Sequence, residues 1–309
     1  MTTVTVVRGG ILTTVQDLGR WGHQANGVPV AGPMDVYSHR LANRLVGNDR
    51  DAAALEITLV GPELLVHGEV LCAVCGAAFE LSVDGRPAPP NQPFEVWRGE
   101  RLTFGRRVAG ARATLAVRGG IDVPPVLGSR ATSLVSAMGP FDGRALAAGD
   151  VLPIGPDLAR PIPAASAWPL RLPEGGAPLR VIVGPHEQRF TADARDLFLR
   201  GRFVLTTKSN RMGYRLDGPA LSHGPGADIL SDATPIGSVQ VPKSGQPILL
   251  MADRQTTGGY PKIATVIAAD LPLAGQLAPG DWVTFVPCAR RDALDALQRL
   301  ERRLAGQAA

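Results

Sequence analysis

Short runs that alternate apolar and polar residues recur along the chain, each closed by Gly, Pro or Asp. The first half carries VTVV, ELLVHG, EVLCAV, FELSVDG, FEVWRG, RLTFG and ATLAVRG, and the second LRVIVG, RFVLTT, YRLDG, SVQV, PILLMAD and DWVTFV. A period of two predicts half-buried strands, and turn residues at this spacing predict barrels or sandwiches rather than βαβ units. The fold expected is mainly β, with a few short helices.

Three segments share one local pattern of Gly, acid, any residue, apolar, any residue, apolar: Gly99 to Phe104, Gly149 to Ile154 and Gly280 to Phe285. The Gly-acid pair supplies a turn and the alternation a strand, so these read as similar strand entries in related barrel-like lobes. Helices are predicted at three places. Asp35 caps a segment running to about Val46, with Gly47 as its stop. Thr191 caps Ala192 to Leu199. Leu294, Leu297, Leu300 and Leu304 form an amphipathic stripe that ends at Gly306. Residues 157–178 are rich in Pro and Ala without periodicity. The organisation expected is therefore an N-terminal β-barrel lobe over 1–160, a connecting segment over 161–178, and a C-terminal β-barrel lobe with a terminal helix over 179–309.

Composition agrees. Gly 36 and Pro 27 make up about a fifth of the 309 residues, too many for a helical array, while 45% apolar residues suffice for a sizeable core. The net charge is +4, with acids interleaved among bases. The basic C-terminal segment reads as a solvated helix face, and no helix-turn-helix or stacking pattern accompanies it, so nucleic acid is not an expected partner. The N-terminus lacks a signal-peptide pattern and no apolar run reaches eighteen residues, so a cytoplasmic protein without membrane spans is expected. Three cysteines fit a reducing compartment. Cys72 and Cys75 form a CxxC inside an apolar run, with too few further ligands for zinc, and read as buried structural thiols. No metal site is expected.

Of 32 basic residues only three are lysine: Lys208, Lys243 and Lys262. Arginine is no chemical equivalent of lysine's compact, titratable ammonium, which draws attention to where the lysines stand. They fall in two of four polar segments that lack amphipathic logic. The first, Thr13 to Gln24 and on to Asp35, offers Gln16, Asp17, Arg20, His23 and Gln24, a set suited to a polar substrate or to proton transfer. A structural loop that hydrogen-bonds its own backbone is the competing reading, and for His23 alone the better one. The second, Gly128 to Ser133, can hold an anion on its amides or merely connect. The third, Thr206 to Arg215, contains Lys208, Asn210, Arg211 and Arg215, with a solvated basic edge as the alternative. The fourth, Ile229 to Lys262, contains Asp232, Gln240, Lys243, Asp253, Gln255, Thr256 and Tyr260. Its Gly258-Gly259 is neither a Walker A loop nor GxGxxG. Lysines there can neutralise an anion or stabilise charge developing on a carbonyl oxygen.

The stretches TTVQDLGRWGHQANGVPVAGPMD, GGIDVPPVLGSRATSL, SNRMGYRLDGP and ILSDATPIGSVQVPKSGQPILLMADRQTTGGYPKIATV resemble the biotin-dependent carboxyltransferase family, also called allophanate hydrolase subunit 2 or KipA-type. The resemblance covers nearly the whole chain. It implies two cyclophilin-like β-barrel lobes and a partner, the KipI-type B-subunit. The family includes the C-subunit of the bacterial ATP-dependent 5-oxoprolinase, where a LamB/YcsF-type A-subunit completes an enzyme that opens 5-oxoproline to glutamate. It also includes part of urea carboxylase, where carboxyl passes from carboxybiotin to urea.

The resemblance thus implies an amide-directed component of an enzyme complex, inactive alone. ATP acts at the level of the complex, biotin on another protein serves the carboxyltransferase alternative, and no cofactor is bound covalently here. A non-enzymatic KipA-like regulator of a kinase inhibitor is the third reading. Under the first, Asp232, Lys243, Asp253 and Lys262 are the catalytic candidates, with the two acids for proton transfer. Lys243, Lys262, Arg211 and Arg215 provide positive charge, and Gln16, Gln240 and Gln255 orient the amide. Asp17, Arg20, His23, Gln24, Asn210, Thr256 and Tyr260 complete the substrate-binding set.

Overall fold

The computed structural model describes residues 2–157, 161–162, 168–224 and 226–307. Contacts divide the chain into two compact units: residues 1–20, 31–172 and 303–308 in the first, and 21–30 and 173–302, with residue 309, in the second. Part of the connecting segment expected over 161–178, residues 163–167, lies outside the described residues.

The first unit is built on nine strands: β1 (Thr3–Arg8), β2 (Leu12–Gln16), β3 (Ala54–Thr58), β4 (Glu63–Val66), β5 (Val70–Val83), β6 (Arg86–Pro87), β7 (Pro93–Val96), β8 (Arg101–Val117) and β9 (Val151–Pro153). They join antiparallel in the order β2-β3-β8-β4-β1-β9, with β5 paired to β6, β7 and β8. The sheet stays open as a half-barrel. Its core gathers the inward positions of the alternating strands, among them Val6, Leu55, Ile57, Leu64, Phe79, Leu102, Phe104 and Leu115. Helix α1 (Val36–Leu45) begins where predicted: the Asp35 carboxylate accepts from the Ser38 amide at 2.9 Å, and Gly47, at φ 73°, follows its end. Burial lowers the pKa of His39 on this helix to about 4, so its imidazole is neutral at physiological pH.

The second unit contains a closed barrel. Its strands are β10 (Gly176–Val183), β11 (Phe203–Leu205), β12 (Gly213–Asp217), β14 (Ser238–Gln240), β15 (Ile248–Leu250), β17 (Lys262–Val266) and β18 (Trp282–Pro287), in the order β10-β17-β14-β15-β12-β11-β18. The parallel pairing of β10 with β18 closes the ring. Ala177, Leu179 and Val181 point inward from β10, as Val283 and Phe285 do from β18. Two further strands, β13 (Asp232–Ala233) and β16 (Thr257–Gly258), form a separate antiparallel ribbon. Helix α2 (Ala192–Arg200), capped by Thr191, stacks Phe198 on Phe285 with centroids 4.4 Å apart. Helix α3 (Leu271–Gly275) is short, and α4 (Arg290–Leu304) is the predicted C-terminal helix. Its stripe is shifted from the expectation: Leu294 is exposed, whereas Ala296 and Leu304 are buried.

The repeated Gly-acid pattern is one structural device used three times. At each site a turn closes on the acid's amide: Glu100 N to Trp97 O, Asp150 N to Ala147 O and Asp281 N to Ala278 O. The acid side chain then accepts from the amide three residues back, at 2.7–2.9 Å. Gly99, Gly149 and Gly280 have φ of 87°, 92° and 95°, a left-handed conformation that costs other residues about 1–2 kcal/mol. The strand begins one residue after the acid in all three, as β8, β9 and β18.

Cys72 and Cys75 are buried on β5 and unpaired. Burial pushes the Cys72 thiol up to about 12 and the Cys75 thiol higher still, leaving both as inert core side chains. Among the described residues no cluster of three or more His, Cys, Asp or Glu is arranged to hold a metal ion, and no helix is long and apolar enough to cross a membrane.

Candidate active site

The barrel of the second unit gathers most of the predicted residues. A cleft of about 180 Å³ opens where β12 lies beside β15, lined by Asn210, Met212, Gly213, Arg215, Gln240, Ile248, Leu250, Gln255 and Tyr260. Five of these nine are sequence candidates, drawn from two of the polar segments. Met212, Ile248 and Leu250 supply apolar lining, and Asn210, Gln255 and Gln240, the last the strand partner of Ile248, supply amides. That composition suits a small, flat, polar ligand.

The amide wall is held in place. Gln240, buried at the end of β14, donates from Nε2 to the Tyr260 carbonyl at 3.4 Å, and its Oε1 accepts from Gln255 Nε2 at 3.3 Å. A Cβ on Gly258 would stand 2.6 Å from Gln240 Nε2 and 3.2 Å from Gln255 Nε2, so glycine is needed for both amides to lie against the ribbon. Asn210 spends its Oδ1 on the Met212 amide at 2.9 Å, shaping the turn into β12. Below it, Arg211 and Asp253 form a bidentate pair at 3.0 Å in both bonds, with side chains 4% and 0% exposed. The Asp253 amide also donates to the Arg211 carbonyl. This pair fixes the two chain segments that carry the cleft.

Lys262 is the buried lysine. Its ammonium, 2% exposed, donates to Asp232 Oδ2 at 2.8 Å and to the Ala233 carbonyl at 2.7 Å. Lys262 is the strand partner of Gln240, and Asp232 is the ribbon partner of Gly258, so the ion pair flanks the glutamine amides. The Lys262 hydrogen bond is the chief reason the Asp232 carboxyl is held below its usual range. His186 is not among the predicted residues. Its Nε2 lies 4.0 Å from Asp232 Oδ2, and its backbone amide donates to the Lys262 carbonyl. Burial, then the Lys262 charge, lower its pKa. His186 and Lys262 are far apart in the chain, so no local spacing marks the histidine. Arg254 stands between two predicted residues and is also absent from the expected set. Its guanidinium donates to the Thr234 carbonyl at 2.7 Å, and burial lowers its pKa.

The remaining candidates lie elsewhere. Lys243 pairs with Asp228 at 3.2 Å on the surface, its side chain 77% exposed, and does not line the cleft. The Thr256 carbonyl accepts from the Thr234 amide beside the ribbon. Gln16, Asp17 and Arg20 belong to the first unit, where they bind residues 126–132. Gln16 Nε2 donates to the Thr132 carbonyl at 3.0 Å. Asp17 accepts from the Ser129 hydroxyl and the Arg130 amide, and Arg20 donates to the Val126 and Ala131 carbonyls. The amides of the second polar segment are thus partly engaged inside the unit. The His23 carbonyl closes a turn with Asn26, and Gln24 accepts from the Gly22 amide.

Residues 26–287 match the family described as carboxyltransferase domain, subdomain A and B. The chain belongs to that family. It is 41% identical over 297 residues to the 5-oxoprolinase C-subunit of Escherichia coli (strain K12), an alignment that covers 96% of this chain and 95% of that protein. It is 38% identical to urea amidolyase of Lachancea kluyveri over 91% of this chain, yet spans only 17% of that protein. The crystal structure of the Kluyveromyces lactis urea carboxylase superposes with a TM-score of 0.93 at 33% identity, covering 99% of this chain and 30% of that one.

Proposed function

We propose that this chain is the C-subunit of an ATP-dependent 5-oxoprolinase, acting in the cytoplasm with a KipI-type B-subunit and a LamB/YcsF-type A-subunit. The observation that carries the reading is the end-to-end match with the Escherichia coli protein, against partial coverage of the urea-directed proteins. The cleft adds chemical support. A lactam presents one N–H and one C=O in a plane, and Gln240 and Gln255 offer an acceptor and donors in a fixed pair. Ring opening adds water across the C–N bond: negative charge grows on the carbonyl oxygen, and the nitrogen leaves as an amine after taking a proton. Amide donors held before the reaction stabilise that oxygen without reorganising. Asp232 accepts from the Lys262 ammonium and from the Ala233 amide, and is suited to fixing that ammonium rather than to removing a proton.

At about 180 Å³ the cleft is sized for a small amide and not for a nucleoside triphosphate, and Gly258 lies against the Gln240 and Gln255 amides. ATP therefore belongs to the complex rather than to this cleft. A carboxyltransferase that acts on urea or a related amide, with biotin carried by another protein, is the second reading. It is favoured by the close superposition on urea carboxylase. Purified together with its KipI-type and LamB/YcsF-type partners, the chain is expected to give glutamate from 5-oxoproline only when ATP is present. An intact complex of all three proteins that releases none, but carboxylates urea when supplied with carboxybiotin, would replace the first reading with the second.

A further inference from the structure

A second cleft of about 400 Å³ adjoins the first in the same barrel. Arg215 and Ile248 line both, and these two are strand partners across β12 and β15, so the wall between the clefts is one cross-strand pair. The second cleft carries Lys208 and Arg215 against a single carboxylate, Asp217. Among the described residues, every other lysine has an acid within 4.0 Å: Lys243 has Asp228, and Lys262 has Asp232. Neither Lys208 nor Arg215 makes such a pair. Thr206 and Thr207 line the same cleft. Thr206 also donates its amide to the Arg215 carbonyl, and the Arg215 amide donates to Ser209 Oγ at 3.0 Å, so the base of the arginine is fixed while its head is free.

Two cations that pair with no acid within 4.0 Å among the described residues thus line a cavity that shares the Arg215–Ile248 wall with the amide cleft. We propose that the second cleft binds the anionic group of a ligand, a carboxylate or a phosphate, and that Arg215 bridges it to the amide cleft. This rests on the reading of the first cleft as an amide site and sharpens its substrate class: the amide carries an anionic substituent on an adjacent atom, as 5-oxoproline does and urea does not. Arg215 supplies a flat, two-pronged donor and Lys208 a point charge, a combination suited to either oxyanion.

The test is calorimetric binding of 5-oxoproline, 2-pyrrolidinone and inorganic phosphate to the full complex, with wild-type chain, Lys208→Met and Lys208→Arg. 2-Pyrrolidinone is the same lactam without its carboxylate. Lys208 is exposed, so its replacement leaves the fold intact. The wild type is expected to bind 5-oxoproline at least about tenfold more tightly than 2-pyrrolidinone. Lys208→Met should remove most of that difference while leaving 2-pyrrolidinone unchanged, and Lys208→Arg should keep part of it. If the anion is a phosphate instead, Lys208→Met weakens inorganic phosphate about tenfold and leaves 5-oxoproline alone. Equal affinities for the two lactams, together with no effect of Lys208→Met on phosphate, would overturn the proposal. The outcome is separable from the function itself: turnover of 5-oxoproline with KM unmoved by Lys208→Met, and phosphate binding equally unmoved, sinks the anion cleft alone. Lys208-dependent binding of phosphate in a complex that does not turn over 5-oxoproline keeps the cleft and sinks the activity.

Discussion

Replacing Lys262 with methionine is expected to lower ATP-dependent glutamate release by the complex about a hundredfold to a thousandfold, mostly in kcat, with the fold retained. Methionine fills a similar slot and leaves no buried charge behind, while Asp232, half exposed, regains water. The loss falls on catalysis because the Lys262 ammonium is a fixed charge held by Asp232 and the Ala233 carbonyl next to Gln240, its strand partner, and the removal of one fixed electrostatic group from such a site commonly has that size. Arginine should not rescue it: a guanidinium is larger than the buried slot, and its planar fork does not match the two acceptors Asp232 Oδ2 and Ala233 O. Activity of the methionine variant within twofold of wild type would remove Lys262 from the site.

The largest effect on stability is expected at the Arg211–Asp253 pair. Asp253→Ala leaves a guanidinium 4% exposed without its carboxylate, a situation that costs about 3–5 kcal/mol. In thermal unfolding the midpoint should drop by roughly 10 °C. Removing both charges in Arg211→Met/Asp253→Leu should recover part of the loss, because the penalty lies in the orphaned charge more than in the lost attraction. An Asp253→Ala protein as stable as wild type would mean that water reaches Arg211 and that the pair does not hold the cleft. Asp253 thus differs from its expected role: enclosed and doubly bonded to Arg211, it is suited to positioning rather than to proton transfer.

What the sequence makes legible is what local chemistry decides. Asp35 and Thr191 cap their helices because an acceptor three residues before an amide is a short-range geometry. The Gly-acid turns repeat because the glycine and acid requirements lie in adjacent residues. Strand positions follow from alternation, but closure does not: β10 and β18 pair from opposite ends of the second unit, and nothing within either strand states that one lobe closes while the other remains a half-barrel. The site divides in the same way. Asp232, Gln240, Gln255, Tyr260 and Lys262 crowd one polar stretch and do come together, with Asn210 and Arg215 added from a second. Lys243 is in that stretch but on its solvent side, because the turn at Pro242 to Gly245 carries it out of the barrel. His186 and the apolar wall of Ile248 and Leu250 are invisible to motif reading, since an ordinary strand residue becomes a site residue only through the pairing of the barrel.

Under the proposed function, the cleft where β12 lies beside β15 holds the amide that is opened. The most direct measurement is a crystal structure of the complex soaked with 5-oxoproline in the absence of ATP. Lactam density is expected in this cleft, with the ring amide within about 3.2 Å of the Gln240 and Gln255 side chains and the carboxylate turned toward Arg215. Well-ordered 5-oxoproline bound at another site, with this cleft empty, would contradict it.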